Sequence, residues 1–138
     1  EIIHSQMGVV SEYAACVALD YIAEISDNLL PPGEPNERFF RLILAVLDFL
    51  RSDPAGAVWP AVNYFSLWAV RLSGILPDLH VAAESLRLAE EMMRTPIGQL
   101  EPRTWTSSTA RDLRRFLVRS IQDHIERKLY SAPILESL

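Results

Sequence analysis

Apolar residues recur every three to four positions in five segments of this 138-residue chain, and no run of four or more residues alternates apolar with polar. Together these two patterns leave helices as the building units and give a sheet no support. Val10, Ala14, Val17, Tyr21 and Ile25 set the first stripe, within a helix expected over 9–30 that stops at LLPPGEPN, where adjacent prolines and a glycine prevent continuation. Asn36 then offers an N-cap with Glu37 in the first turn. Phe39, Phe40, Ile43, Leu44, Val46, Leu47 and Leu50 form a broad apolar stripe behind it, ending near Ser52. A third helix over 57–72, carrying Trp59, Tyr64, Phe65, Leu67, Trp68 and Leu72, has few positions left for solvent and is expected at the centre. The fourth, over 81–94, turns Ala82, Leu86, Ala89 and Met93 to one side. The fifth, capped by Thr106 or Ser107, has Leu113, Phe116, Leu117, Ile121, Ile125 and Leu129 on its inner face. The expected fold is an all-α bundle of five or six helices forming a single domain over residues 1–138.

Composition agrees with a packed core. With 49% hydrophobic and 22% charged residues, the chain can bury a globular interior and is not disordered. The longest apolar runs, such as LILAVLDFL, are broken by charge and too short to span a bilayer, and there is no basic, apolar leader at the start. A first residue of Glu1 rather than Met suggests a fragment of a longer protein. Cys16 is the single cysteine, so no internal disulfide or CxxC metal knuckle can form. In the apolar run YAACVAL it is expected to be a buried, inert thiol, which fits a cytoplasmic protein.

Enzyme signatures are missing: there is no GxSxG elbow, P-loop, GxGxxG or HExxH. His4, His80 and His124 lie in different segments without ligand spacing, and His124 is expected to be packed and hydrogen-bonded near Ile121 and Ile125. The chain is therefore read as non-enzymatic.

Charge is unevenly distributed. Residues 1–37 hold seven acids and no Lys or Arg, whereas residues 103–138 hold seven basic residues against four acids. Lys128 is the only lysine beside twelve arginines. Arg111, Arg115 and Arg119 stand at i, i+4 and i+8, with Arg114 beside them, in an arc of about 140° opposite Leu113, Phe116 and Leu117. Two readings are open. The four arginines either pair with acids of the N-terminal helix, or they form a platform for phosphates or for the carboxylates of an acidic peptide. No outward aromatic interleaves them, so base stacking and sequence readout are not indicated.

Three stretches carry a resemblance: LLPPGEPNERFFRLILAVLDFL (29–50), NYFSLWAVRLSGILPDLH (63–80) and ARDLRRFLVRSIQDHIERKLYSAPILESL (110–138). In that order they resemble the C-terminal helical domain of the bacterial DNA repair protein RecO family, over essentially the whole chain. The resemblance implies a cytoplasmic, nucleoid-associated protein of recombinational repair that binds single- and double-stranded DNA and anneals complementary strands. It also implies work with RecR, often with RecF, to load RecA onto strands coated by single-stranded-DNA-binding protein. The acidic, apolar-ended tail of that last protein is a partner of the helical domain in some members, and Arg111, Arg115 and Arg119 would supply charges for it.

This chain departs from the family in two places. No β pattern corresponding to the family's N-terminal OB-fold domain precedes residue 9, so DNA affinity is expected to reside mainly in that domain. Many members also carry a four-cysteine zinc element after the segment matching GILPDLH. Here His80 runs directly into Val81 with no later cysteine, so zinc is assigned to no residue. The junction is either a true short turn or a place where residues are missing from the numbered chain. The other reading of the whole is an effector-binding or dimerisation domain of a transcription regulator, with Trp59, Tyr64 and Trp68 lining an elongated apolar cavity.

Overall fold

The computed structural model describes the backbone of residues 2–30, 32–33 and 35–138, and the side chains of the same residues from 12 onward. Six α-helices follow in order: α1 (Ile2–Leu29), α2 (Glu37–Ser52), α3 (Val58–Leu72), α4 (Ala83–Arg94), α5 (Arg111–Ile125) and α6 (Ser131–Glu136). A single 3₁₀ turn (Ile97–Gln99) lies between α4 and α5, and no strand occurs among the described residues. The all-α bundle expected from periodicity is what forms.

α3 is the central element, packed against α1, α2, α4 and α5. Eleven of its residues are buried, including Phe65, Leu67 and Val70, which is why its sequence is so uniformly apolar. Phe39 of α2 meets Phe65 edge-on at 6.0 Å between ring centroids. Tyr21 of α1 buries its ring and bonds through its hydroxyl to Ser66 Oγ at 2.7 Å. That bond leaves no buried hydroxyl of the pair unsatisfied, and burial pushes the Tyr21 hydroxyl far above the usual tyrosine range.

Local chemistry sets the ends of the helices. Asn36 caps α2, its Oδ1 accepting from the Phe39 N–H at 3.0 Å, as the sequence suggests. At the end of α3, Gly74 adopts φ +73 and the Ile75 N–H reaches back to Val70 O at 3.2 Å. With Gly74 N–H on Arg71 O, this is a Schellman stop that requires a residue tolerant of the left-handed region.

Several expected positions differ. α1 begins at Ile2 rather than Val9; Val10 and His4 belong to the residues whose side chains are not described. Phe40 and Leu44 face outward, at 59% and 49% exposure, because the inner face of α2 is narrower than its apolar content: Phe39, Leu42, Val46 and Leu50 fill it. On α4 the inner face is Ser85, Leu88, Ala89 and Met92, so Ala82 and Leu86 are exposed. α5 starts four residues beyond Ser107, after a turn in which Thr106 Oγ1 accepts from Ser108 N–H and Thr109 Oγ1 from Thr106 N–H. Neither Thr106 nor Ser107 caps α5; Ala110 precedes it in the left-handed region. Cys16 is exposed, not buried, since Val17, Ala18 and Tyr21 define the inner face of α1 and Cys16 lies beyond its edge. His124 is exposed on the last turn of α5 and not packed inside. Among the described residues, no helix is long and apolar enough to cross a membrane.

Candidate anion-binding face

On α5 the buried residues are Leu113, Arg114, Leu117 and Ile121. At about 100° per residue this inner arc is centred well to one side of Phe116, and Arg114 falls inside it. Arg114 is fully buried. It therefore leaves the exposed platform in which the sequence placed it. Its guanidinium lies 4.5 Å from the centre of the Trp59 ring, a desolvated cation–π contact. Nε donates to Glu136 Oε1 at 3.0 Å and Nη2 to Ser107 O at 2.9 Å. Arg114 thus ties α5 to α6 and to the 107–110 turn, and serves packing rather than a partner.

The other three arginines remain at the surface, with Arg111 half-buried and Arg115 and Arg119 exposed. They border one depression of about 670 Å3 together with His80 and Asp112. Arg111 spends Nε and Nη2 on Ser107, at 3.2 Å to its carbonyl and its hydroxyl. Arg115 stands 3.8 Å from Glu136 Oε2. Arg119 makes no ion pair among the described residues. No arginine of α5 pairs with an acid of α1; the acid that neutralises part of this face is Glu136 of α6.

Asp112 lies among these cations but faces another task. Its carboxylate accepts from the Ala82 N–H at 2.8 Å and from the Ser85 hydroxyl, so it caps α4 from a neighbouring helix. Partial burial raises its proton affinity, but the bonds from Ser85, Ala82 and its own backbone outweigh this and hold the carboxyl below the usual aspartate range.

Arg115 also borders a second, smaller cleft of about 280 Å3 between α5 and α6, lined by Val118, Gln122, Lys128, Ala132, Pro133, Leu135 and Glu136. Four of its eight lining side chains are apolar, and Arg115 and Lys128 contribute cations beside the Glu136 carboxylate. Arg115 is therefore common to both recesses. Sequence reasoning found Arg111, Arg115 and Arg119 by their spacing. It gave no role to His80, which reaches the site from the α3–α4 connection, or to Lys128, which follows the end of α5. Neither shares a periodic pattern with the arginines, so only the tertiary fold unites them.

The aromatic residues Trp59, Tyr64 and Trp68 of α3 are engaged by neighbouring groups. Trp59 lies under Arg114, Tyr64 packs on Trp68 at 6.3 Å, and Trp68 Nε1 donates to Met92 O at 2.9 Å. That arrangement gives no support to the reading as a small-molecule effector domain.

Comparison with known proteins identifies the family. Residues 10–85 match the family model described as "Recombination protein O C terminal". The chain is 34% identical to the DNA repair protein RecO of Koribacter versatilis (strain Ellin345), in an alignment that takes in 100% of this chain and 69% of that protein. The chain belongs to the RecO family. No solved structure matches at comparable stringency. The alignment with the Koribacter RecO runs over 172 positions against 138 residues here, a difference of 34, so that relative carries internal positions without a counterpart. The zinc element of many RecO proteins does not fit the residues present. Among the described residues, no group of three or more His, Cys, Asp or Glu side chains can hold a metal, and Cys16 is the sole cysteine.

Proposed function

We propose that this RecO-type helical domain is a non-enzymatic docking module of DNA repair, and that the exposed face of α5 receives an acidic partner. The observation that carries this reading is the position of Arg115 between two recesses. One holds Arg111 and Arg119; the other is the cleft between α5 and α6, with Val118, Ala132, Pro133 and Leu135 as its apolar part. A peptide rich in carboxylates and ending in an apolar side chain complements both at once: its acids face the arginines and its terminal group enters the cleft. The acidic tail of single-stranded-DNA-binding protein has that chemistry. DNA phosphates satisfy the arginines but leave the cleft empty, so DNA is the weaker fit to this face alone. In the whole protein, DNA binding, strand annealing and recombinase loading with RecR would draw on an N-terminal domain as well, in the bacterial cytoplasm at the nucleoid.

Calorimetric titration with a short acidic peptide ending in Phe, and with the same peptide ending in Ser, tests this fit. The Phe-ended peptide should bind at least about fivefold more tightly, since burying an aromatic ring is worth more than 1 kcal/mol. Equal affinities would leave the cleft without a role and reduce the face to simple charge attraction.

A further inference from the structure

We infer that His80 is a fourth cation of the α5 face, one that makes acidic-partner binding pH-dependent. The inference rests on the proposed docking of an acidic partner and adds to it a residue and a mode of regulation.

His80 is exposed and borders the same depression as Arg111, Arg115 and Arg119. Its ring packs edge-on against Phe116 at 6.5 Å between centroids, which fixes the imidazole beside α5 rather than leaving it free on its loop. Phe116 lies one helical turn from both Asp112 and Arg119, so the contact anchors His80 within reach of the charges of that helix. The acids nearby are accounted for. Asp112 is turned toward α4, bound to the Ala82 N–H and the Ser85 hydroxyl. Asp78 and Glu84 are exposed on the connection and on the first turn of α4, and neither borders the depression. Cations therefore dominate the rim facing His80.

A histidine changes charge between pH 5 and 8. An anion seated among three arginines and an imidazole favours the charged imidazole over the neutral one. By linkage, binding then takes up a proton and strengthens as the pH falls. Peptide carboxylates, with ordinary values near 4, stay ionised above pH 6, and acetylating the peptide's amino terminus removes its other group that titrates in this range, so the trend then originates in the protein.

The test is isothermal titration calorimetry of this chain with an acidic Phe-ended peptide at fixed ionic strength between pH 8.0 and pH 6.0. Wild-type affinity should rise about three- to fivefold over that range, with net proton uptake seen as a buffer-dependent heat. His80→Gln should show less than about a twofold rise over the same range, while His124→Gln keeps the full rise. Binding without pH dependence in the wild type, or a full rise in His80→Gln, overturns the inference and leaves the docking face standing. No binding at any pH overturns both.

Discussion

Arg114 and Arg115 are neighbours in sequence with opposite destinies, and the difference can be measured. Arg114 is buried against Trp59 and paired with Glu136, whose side chain is 29% exposed. Arg114→Ala removes the cation, the ring contact and the link to Ser107, and should cost about 3 kcal/mol, the lower end for a broken buried pair because Glu136 can regain water. Urea unfolding reads this as a lower midpoint, whereas the exposed Arg119→Ala should leave the unfolding free energy within about 0.5 kcal/mol of wild type. An unchanged midpoint for Arg114→Ala would contradict its place in the core. The helical wheel of α5 shows why the sequence misplaced this residue. Setting the arginines opposite Leu113, Phe116 and Leu117 puts Arg114 outside, while the true centre near Leu117 puts it inside, and only the packing of α5 on α3 and the Arg114–Glu136 pair decide between them. Asp112 gives a pH signature at the same scale. Its folded-state proton affinity is lowered, so its contribution to stability is full above the unfolded value near 3.9 and is lost as pH falls through the lower folded value. The stability difference between wild type and Asp112→Ala should therefore be constant above about pH 5 and shrink below about pH 4. A difference that grew on acidification would contradict the cap.

Two elements owe their existence to side chains borrowed from elsewhere. A six-residue helix such as α6 is too short to persist alone. It is held at one end by Glu24 of α1, whose buried carboxylate accepts from the Tyr130 N–H at 2.9 Å and the Ser131 N–H at 3.0 Å. At the other end Arg114 grips Glu136. Glu24→Ala should destabilise the protein by about 1–2 kcal/mol, in the range of a lost helix cap. The loss should concentrate in α6, where hydrogen exchange of residues 131–136 is expected to accelerate more than that of α3. Uniform acceleration would mean that Glu24 acts on the whole core instead. The same logic explains what was legible in advance. α2 and α3 follow from periodicity and their own turn residues, with Asn36 and Gly74 at the ends. The caps of α4 and α6 come from Asp112 and Glu24, at sequence separations of 30 and over 100 residues, and no local pattern announces them. The apolar excess of α2 misled for a different reason. Phe40 and Leu44 read as core by hydropathy, but the groove between α1 and α3 admits one side of the helix only.

At the scale of the molecule, no acid of the first 37 positions forms an ion pair with the arginine-rich last third among the described residues; the counter-charge for α5 comes from Glu136 of α6. What remains is a localised cationic face on a protein whose overall charge is −5. Such a face binds polyanions through a local rather than a global field, so affinity for single-stranded DNA should fall with salt at a log–log slope near about −2, the value for three neutralised phosphates. A much steeper slope would require cations beyond Arg111, Arg115 and Arg119. The central claim, that this face of α5 docks an acidic partner, is tested most directly by reversing its two exposed charges together. The affinity of Arg115→Glu/Arg119→Glu for an acidic, Phe-ended peptide should fall at least about tenfold at low salt, with the circular dichroism spectrum unchanged. An affinity equal to that of the wild type would contradict the account.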